Sequence, residues 1–373
     1  MSLYNSFRKK VATAVFAGFG LIGSSYNSYA EEPISDVPIV MPMPRNYDEA
    51  MKQTLDDLVI DTDETIDPSF ESLKDRKLLH ATTPHYDITT SLNKTELEKY
   101  AKTSEKARST LEYMMGISPD KPLSLKQTRI FICPATEYKT VLEKLGVNDN
   151  DIKTALSISS FISGNKVLYA TQPKNGEIAE RDKYVQLITA GLLSRNSEFS
   201  VPSRGTYLHP WLTDAITVNI SAIVNQSTLA YTQGSDNYGK ARKFETKENM
   251  YQGTMFNPKY MSAMLKAGKE MGFRYLMGLK DYAPLTSDTA VEGYFRIKWL
   301  SEVKDAEHKK FGQALKLEVD GEEPEIAFRK AFEVPENKPA YETLDNEFRE
   351  YHLKTYPVAD ERKPSKSGKH GRK

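Results

Sequence analysis

The sequence predicts an α+β fold in which a small N-terminal layer of strands and helices is followed by a mainly helical C-terminal lobe. Residues His85–Ser91 alternate as a strand does, with Tyr86, Ile88 and Thr90 on one face. From Lys183 onward, apolar residues instead recur every three or four positions, as on one face of a helix. From this residue onward we therefore expect mainly helices.

The N-terminal layer is predicted to alternate strands with helices. After the first strand, Asn93 stands three residues before Glu96, which is the spacing of a capping box at the start of a helix. A long helix with an apolar stripe follows. Two further strands are predicted over Thr128–Cys133 and Lys166–Ala170, with a helix over Ala135–Leu145 between them. This order favours a small α+β or α/β layer.

The C-terminal lobe is predicted to be a succession of amphipathic helices. A polar stretch near residues 226–252 contains several glycines and separates the first helices from the others. The later helices are expected over residues 260–271, 291–303, 306–317, 325–332 and 342–353. No repeat period appears, so we expect one domain over residues 70–353, with two lobes that meet near 222–257.

The two ends of the chain are predicted to lie outside this domain. Residues 1–30 have a basic triplet, a short apolar core and small residues before Ala30, which is the pattern of a cleaved signal peptide. An uncleaved N-terminal anchor is the alternative. Residues 31–69 are rich in Pro, Asp and Glu and predict a poorly ordered leader, while residues 354–373 predict a disordered basic tail. The protein is expected to be exported, to the periplasm or the extracellular space.

The distribution of charge bears on possible partners. The chain has 51 basic and 51 acidic residues, but residues 31–358 hold 42 basic against 49 acidic ones. The basic tail favours a weak contact with an anionic surface, and a solvated tail that aids solubility is the alternative. No aromatic residues are interleaved with its cations, so no specific binding of nucleic acid is predicted.

The single cysteine limits the redox and metal chemistry of the chain. Cys133 lies at the end of a predicted apolar strand. One cysteine excludes an internal disulfide and a zinc site built from several thiolates. Burial as a small hydrophobic residue is the interpretation that its neighbours favour.

Two segments of the helical lobe carry a family resemblance. The helix-like run Tyr184–Leu193 is followed roughly twenty residues later by Pro210–Ala215, with the sequence Pro-Trp-Leu-Thr-Asp-Ala. This pair resembles the frame of the gluzincin metallopeptidases, the peptidase-MA-like superfamily, in which a helical H-E-x-x-H precedes a W-L-x-E-G-x-A segment. The resemblance covers about residues 70–353, from an opening strand at Thr83–Ile88 to helical motifs such as Glu325–Phe332. It implies a gluzincin-like fold.

The resemblance places the zinc motif on side chains that do not bind zinc. Ile188 and Leu192 stand at the two histidine positions. Thr189 stands at the position of the catalytic glutamate, and Asp214 at that of the third ligand. Zinc hydrolases need two imidazoles at i and i+4 and a carboxylate that takes a proton from the metal-bound water. No histidine occurs within residues 86–208, so no shift of register restores the motif. We expect no metal and no cofactor.

Three residues are candidates for residual chemistry: His209, Asp214 and Tyr294. Asp214 would point into the former cleft, and His209 precedes it by five residues. Tyr294 lies where gluzincins often place a tyrosine that hydrogen-bonds the tetrahedral intermediate. Each has a structural alternative: a helix cap or ion-pair partner for Asp214, a loop position for His209, and a packing face for Tyr294.

These observations predict an exported, catalytically inactive metallopeptidase-like protein that binds an extended peptide or a cell-envelope component. Two alternatives stay open. A hydrolase with a rearranged active site requires His209, Asp214 and Tyr294 to converge in one cleft. A structural envelope protein would be tethered by its basic tail. The sequence contains no G-x-S-x-G elbow, no P-loop and no G-x-G-x-x-G after a strand, so it does not favour other common catalytic classes.

Overall fold

The computed structural model describes residues 60–63, 67–75, 77–117, 128–163, 165–171, 177–195, 209–225, 258–279, 287–304 and 309–358. Within them the protein combines one mixed sheet with a larger number of helices, which confirms the predicted α+β class. The predicted signal peptide, most of the predicted leader and the basic tail from residue 359 onward lie outside the described residues.

The described sheet has six strands in the order β1-β2-β3-β4-β6-β5. The strands are β1 (Asp61–Asp63), β2 (Leu79–Thr82), β3 (Tyr86–Thr90), β4 (Thr128–Pro134), β5 (Ser160–Ser163) and β6 (Lys166–Thr171). The pairs β3–β4 and β4–β6 are parallel, whereas β1–β2, β2–β3 and β5–β6 are antiparallel. The three strands expected from the sequence are the central ones, β3, β4 and β6. The sheet also extends to Asp61, within the segment predicted to be leader.

The helices complete the described structure. A short 3₁₀ helix (Pro68–Leu73) precedes α1 (Lys94–Met114), α2 (Ala135–Lys144), α3 (Asp149–Ile158), α4 (Glu177–Arg195), α5 (Pro210–Asn225), α6 (Pro258–Lys266), α7 (Gly272–Gly278), α8 (Ser287–Trp299), α9 (Lys310–Val319), α10 (Pro324–Ala331) and α11 (Ala340–Thr355). A π-helical turn, Leu300–Lys304, continues α8. None of the described helices has the length and apolar character that crossing a membrane requires.

Two helix boundaries differ from the prediction for identifiable reasons. The helix expected over residues 260–271 stops at Lys266, because Gly268 adopts a left-handed conformation with φ of 59°. The amide of Lys269 then donates to the carbonyl of Met264 at 3.0 Å, which closes the helix end. A new helix, α7, begins at Gly272. The helix expected over residues 291–303 likewise changes to π-helical geometry at Leu300.

The sheet is buried on both faces. Phe131, Cys133 and Leu168 face a smaller apolar cluster that includes side chains of α2, α3 and the 3₁₀ helix. The other face, with Ile88 and Ile130, joins the main core that also contains α1, α4 and α5. Two buried faces explain why the central strands are nearly continuous apolar runs. The side chain of Cys133 is buried, as its neighbours predicted.

Helices α4, α5 and α8 form the centre of the main core. α5 packs against α4 on one side and against α8 on the other. Helices α5 and α8 approach each other closely at Gly293. A Cβ at this position would lie 3.2 Å from the Cβ of Ala215 and 3.3 Å from a ring carbon of Trp211. The side-chain amide of Asn219 donates to the carbonyl of Tyr294 at 3.1 Å and fixes the register of the two helices.

A buried guanidinium joins the last helices of the chain. Arg296 on α8 donates through Nε to Glu292 Oε1 at 2.8 Å and through a terminal nitrogen to Asp345 Oδ1 on α11 at 2.6 Å. Its planar group lies 4.5 Å from the ring centre of Phe273 and 4.7 Å from that of Phe348. The guanidinium therefore has carboxylates in its plane and aromatic rings over it.

The same two carboxylates cap α7. Glu292 accepts the amides of Met271 and Gly272, both at 2.8 Å. Asp345 accepts the amide of Phe273 at 3.0 Å. These bonds satisfy backbone donors at the N-terminus of a seven-residue helix that has no side-chain N-cap of its own. Glu292 and Asp345 thus connect α7, α8 and α11.

We predict that replacing Arg296 with Met will destabilise the protein strongly. The methionine would leave the buried Glu292 and the partly buried Asp345 without their cation. Removing the cation of a buried ion pair typically costs about 3–5 kcal/mol. Urea unfolding at pH 7 would measure the change. The control is Arg274→Met, because Arg274 pairs with Glu325 but has a side chain that is 71% exposed; we expect a loss of only about 0–1 kcal/mol there. Equal losses in the two variants would contradict the role given to Arg296.

Candidate functional site

Helix α4 places the three residues at the positions of the zinc motif in the interior. Ile188, Thr189 and Leu192 are all buried. The two aliphatic side chains belong to the same apolar core as Trp211 and Leu212 of α5. The positions at which the resemblance would place zinc ligands are therefore filled with packed hydrocarbon.

Thr189 brings a polar atom into this interior. Its hydroxyl is buried and has no hydrogen-bond partner among the described residues. The side-chain nitrogen of Gln186, three residues earlier on α4, is in the same situation. A hydroxyl has a much lower basicity than a carboxylate, so Thr189 does not replace the glutamate of a hydrolase.

His209 lies at the start of α5 and is directed toward α9. Its carbonyl accepts the amides of Leu212 and Thr213 at 3.0 and 3.1 Å, which starts the helix. Its Nε2 lies 2.7 Å from Glu318 Oε1, and the two side chains are only 1% and 2% exposed. This histidine therefore connects α5 to α9 through a buried pair.

Asp214 and Tyr294 have other surroundings. Asp214 is partly exposed on the second turn of α5, and its carbonyl accepts the hydroxyl of Thr217 at 2.8 Å. Tyr294 is buried on α8, with its ring edge-on to Phe295 at 5.0 Å and with Lys298 Nζ 5.9 Å from the ring centre. Burial raises the pKa of the Tyr294 phenol and keeps it protonated at neutral pH.

The described contacts thus give the three candidates different environments: α9 for His209, the first turns of α5 for Asp214, and the end of α8 for Tyr294. Within the described part of the chain, no group of three or more His, Cys, Asp or Glu side chains is placed to hold a metal ion.

A cluster of buried tyrosines lies near the start of α4, and no pattern in the sequence indicated it. The hydroxyl of Tyr169 on β6 donates to Glu180 Oε1 at 2.5 Å. Tyr184 and Ser104 share a hydrogen bond of 2.7 Å between their hydroxyls. Tyr100 packs edge-on against Tyr184, with ring centres 4.6 Å apart. The cluster joins α1, α4 and β6, which are distant in sequence.

Among the described residues, Lys183 and Glu302 have pKa values that burial brings close to neutrality. Burial lowers the pKa of Lys183 to about 8, and the nearby carboxylate of Glu180 acts in the opposite direction. Burial raises the pKa of Glu302 to about 7, although the ammonium of Lys298 acts to lower it. Such shifts concentrate at functional sites. Sequence inspection does not detect them, because desolvation depends on residues from other elements.

The outer edge of β5 is the other feature with binding potential. Ser159 and Ala170 form a hydrogen-bonded pair beside this strand. Hydrogen-bonded and non-hydrogen-bonded pairs alternate along an antiparallel ladder, so the main-chain groups of Ser160 and Ile162 point away from β6. Among the described strands, none pairs with this edge. An open edge of this kind can accept an extended chain as an additional strand.

Comparisons with known proteins do not assign a family, since no family model, curated protein or solved structure matches this chain.

We predict that Thr189→Val will leave the protein as stable as the wild type or raise its free energy of unfolding by about 1 kcal/mol, because it removes a buried hydroxyl without a partner. The matched control is Thr90→Val. The hydroxyl of Thr90 donates to the carbonyl of Ile132 at 2.8 Å and accepts from the amide of Leu92 at 3.0 Å. We expect that variant to lose about 1–2 kcal/mol. Urea unfolding measures both, and a similar loss at Thr189 would contradict the interpretation of its environment.

Proposed function

We propose that this protein is an exported, gluzincin-like protein that lacks catalysis and acts by binding an extended peptide of the cell envelope. One observation carries the proposal: Ile188 and Leu192 are packed hydrocarbon at the positions where the resemblance would place zinc ligands. Hydrocarbon offers no lone pair to a metal ion, and Thr189 between them offers only a hydroxyl.

The arrangement of the helices supports the gluzincin-like frame. The two segments that carry the resemblance form α4 and α5, which pack against each other as adjacent helices. Trp211 and Leu212 are buried in the main core, so the second segment serves as part of that core. In this proposal, α4 and α5 keep the gluzincin-like arrangement through their apolar packing, and Ile188, Thr189 and Leu192 stand in place of the reactive side chains.

The open edge of β5 supports an extended peptide as the ligand. An added strand would bond to the outward main-chain groups of Ser160 and Ile162, and these groups recognise backbone without regard to side chains. The excess of acidic over basic residues within 31–358 favours a neutral or basic peptide. The signal-like residues 1–30 support export, and the basic residues after 358 support a weak additional contact with an anionic surface.

The absence of catalysis is tested by metal analysis and a peptidase screen. The chain from Glu31 onward would be purified, analysed for zinc by mass spectrometry and assayed with a mixture of fluorogenic peptides, before and after chelation. We expect substoichiometric zinc and no cleavage. Stoichiometric zinc together with activity that chelation abolishes would contradict the proposal.

We predict that Ile162→Pro will weaken peptide binding. A proline at position 162 has no amide hydrogen to donate to the peptide, and its ring adds a methylene to the open edge of β5. The amide of Ile162 is not bonded to β6. The loss of one or two main-chain hydrogen bonds corresponds to about a tenfold weaker affinity. The probe is a pool of fluorescein-labelled octapeptides with randomised central residues, measured by fluorescence polarisation. Ile162→Val, which keeps the amide, is the control and is expected to bind like the wild type. Equal binding by the two variants would rule out the edge as the site.

A further inference from the structure

The end of α8 contains an ion pair with unfavourable geometry. Lys298 Nζ lies 4.0 Å from Glu302 Oε2, and the two side chains are only 16% and 17% exposed. This distance exceeds that of a hydrogen bond. Glu302 Oε2 is buried and has no hydrogen-bond donor among the described residues. The pair therefore loses hydration without gaining the direct bond that usually offsets the loss.

The groups around this pair come from α8, from α11 and the residue after it, and from α9, which packs against the turn. On α9, Lys310 pairs with Glu333 and Glu318 with His209. Lys298 lies over the ring of Tyr294 at 5.9 Å. Glu302 contributes to raising the pKa values of Tyr294 and of Tyr356, which follows α11, although burial is the larger cause for both tyrosines. Beside them, Lys304 of the same turn forms an ion pair with Glu347 of α11. The π-helical turn is thus paired with Glu347 of α11 and interacts electrostatically with Tyr356, the residue after that helix.

Burial shifts the pKa values of both partners in the directions that disfavour their charged forms. Burial raises the pKa of Glu302 to about 7, and Lys298 offsets only part of this effect. Burial likewise lowers the pKa of Lys298, although Glu302 acts to raise it. The pair is therefore kept at a cost to stability. Buried ionisable groups of this kind and π-helical turns are both concentrated at functional positions.

We propose that Lys298, Glu302 and the π-helical turn Leu300–Lys304 form a proton-operated latch between the end of α8 and the end of α11. When Glu302 is neutral, its carboxyl stays packed in the turn. When it loses its proton, the carboxylate moves toward water, because none of the described residues offers its buried oxygen a donor that replaces the lost hydration. This movement loosens the turn from the segment that contains Tyr356.

The direction of the pH dependence follows from the raised pKa. The closed state binds the proton more tightly than the unfolded chain, in which the pKa of a glutamic acid is near its ordinary value of 4.5. The stabilisation is therefore fully present below that value. It declines as the pH rises and is lost above about 7. The latch is closed in mildly acidic solution and open in mildly alkaline solution.

Hydrogen exchange tests the latch in the full mature chain. We expect the amides of residues 300–304 and 352–358 to lose protection by about tenfold between pH 6 and pH 8, after correction for intrinsic exchange, since about one pH unit separates pH 8 from the transition. Glu302→Gln, which imitates the neutral acid, should stay protected at both pH values. The control is Glu350→Gln, because Glu350 is an exposed glutamate on the same helix, α11; it should keep the wild-type pH dependence.

A second measurement does not depend on any variant. The side-chain carboxyl of Glu302 would be titrated by carbon NMR in the wild-type protein, with an expected midpoint near pH 7. An ordinary midpoint near that of an exposed glutamate, about 4.3, would overturn the proposal even if Glu302→Gln failed to fold. Protection that is the same at pH 6 and pH 8 in the wild type would also overturn it.

Discussion

The C-terminal lobe depends on the buried guanidinium of Arg296. One cation is bonded to Glu292 on its own helix and to Asp345 on α11, and these carboxylates in turn hold the first amides of α7. Three helices are therefore positioned by one charge that is only stable while both carboxylates are present. Helix α8 then transmits this position to α5 through the close contact at Gly293, and α5 supports α4.

In the proposed function, apolar contacts connect the helices that a zinc ion would connect in a metallopeptidase. In a zinc enzyme, the metal itself joins the ligand helices. Here the same region is joined by apolar packing of Ile188 and Leu192 against neighbouring core residues, and His209 is paired with Glu318 of α9. In the proposed function, this core stabilises the helices, and the extended peptide binds at the sheet edge of β5.

Much of the fold was predictable where local signals are strong. Asn93 caps α1 by accepting the amide of Glu96 at 2.9 Å, as the capping-box spacing predicted. The central strands were predictable because two buried faces require apolar runs. The strands β2 and β5 were not predicted, since each has four residues and is only partly buried. The break between α6 and α7 was missed because its cause is the left-handed conformation of Gly268.

The sequence by itself excluded zinc binding at the motif positions of α4. Whether a side chain can ligate zinc depends on its own atoms, so Ile188 and Leu192 decide that question without coordinates. Only the tertiary structure decided which ordinary residues have unusual properties. Glu302, Lys183 and Arg296 look like surface residues in the sequence, and they become special because distant segments exclude water from them. Desolvation is a property of the neighbourhood, and folding alone creates that neighbourhood.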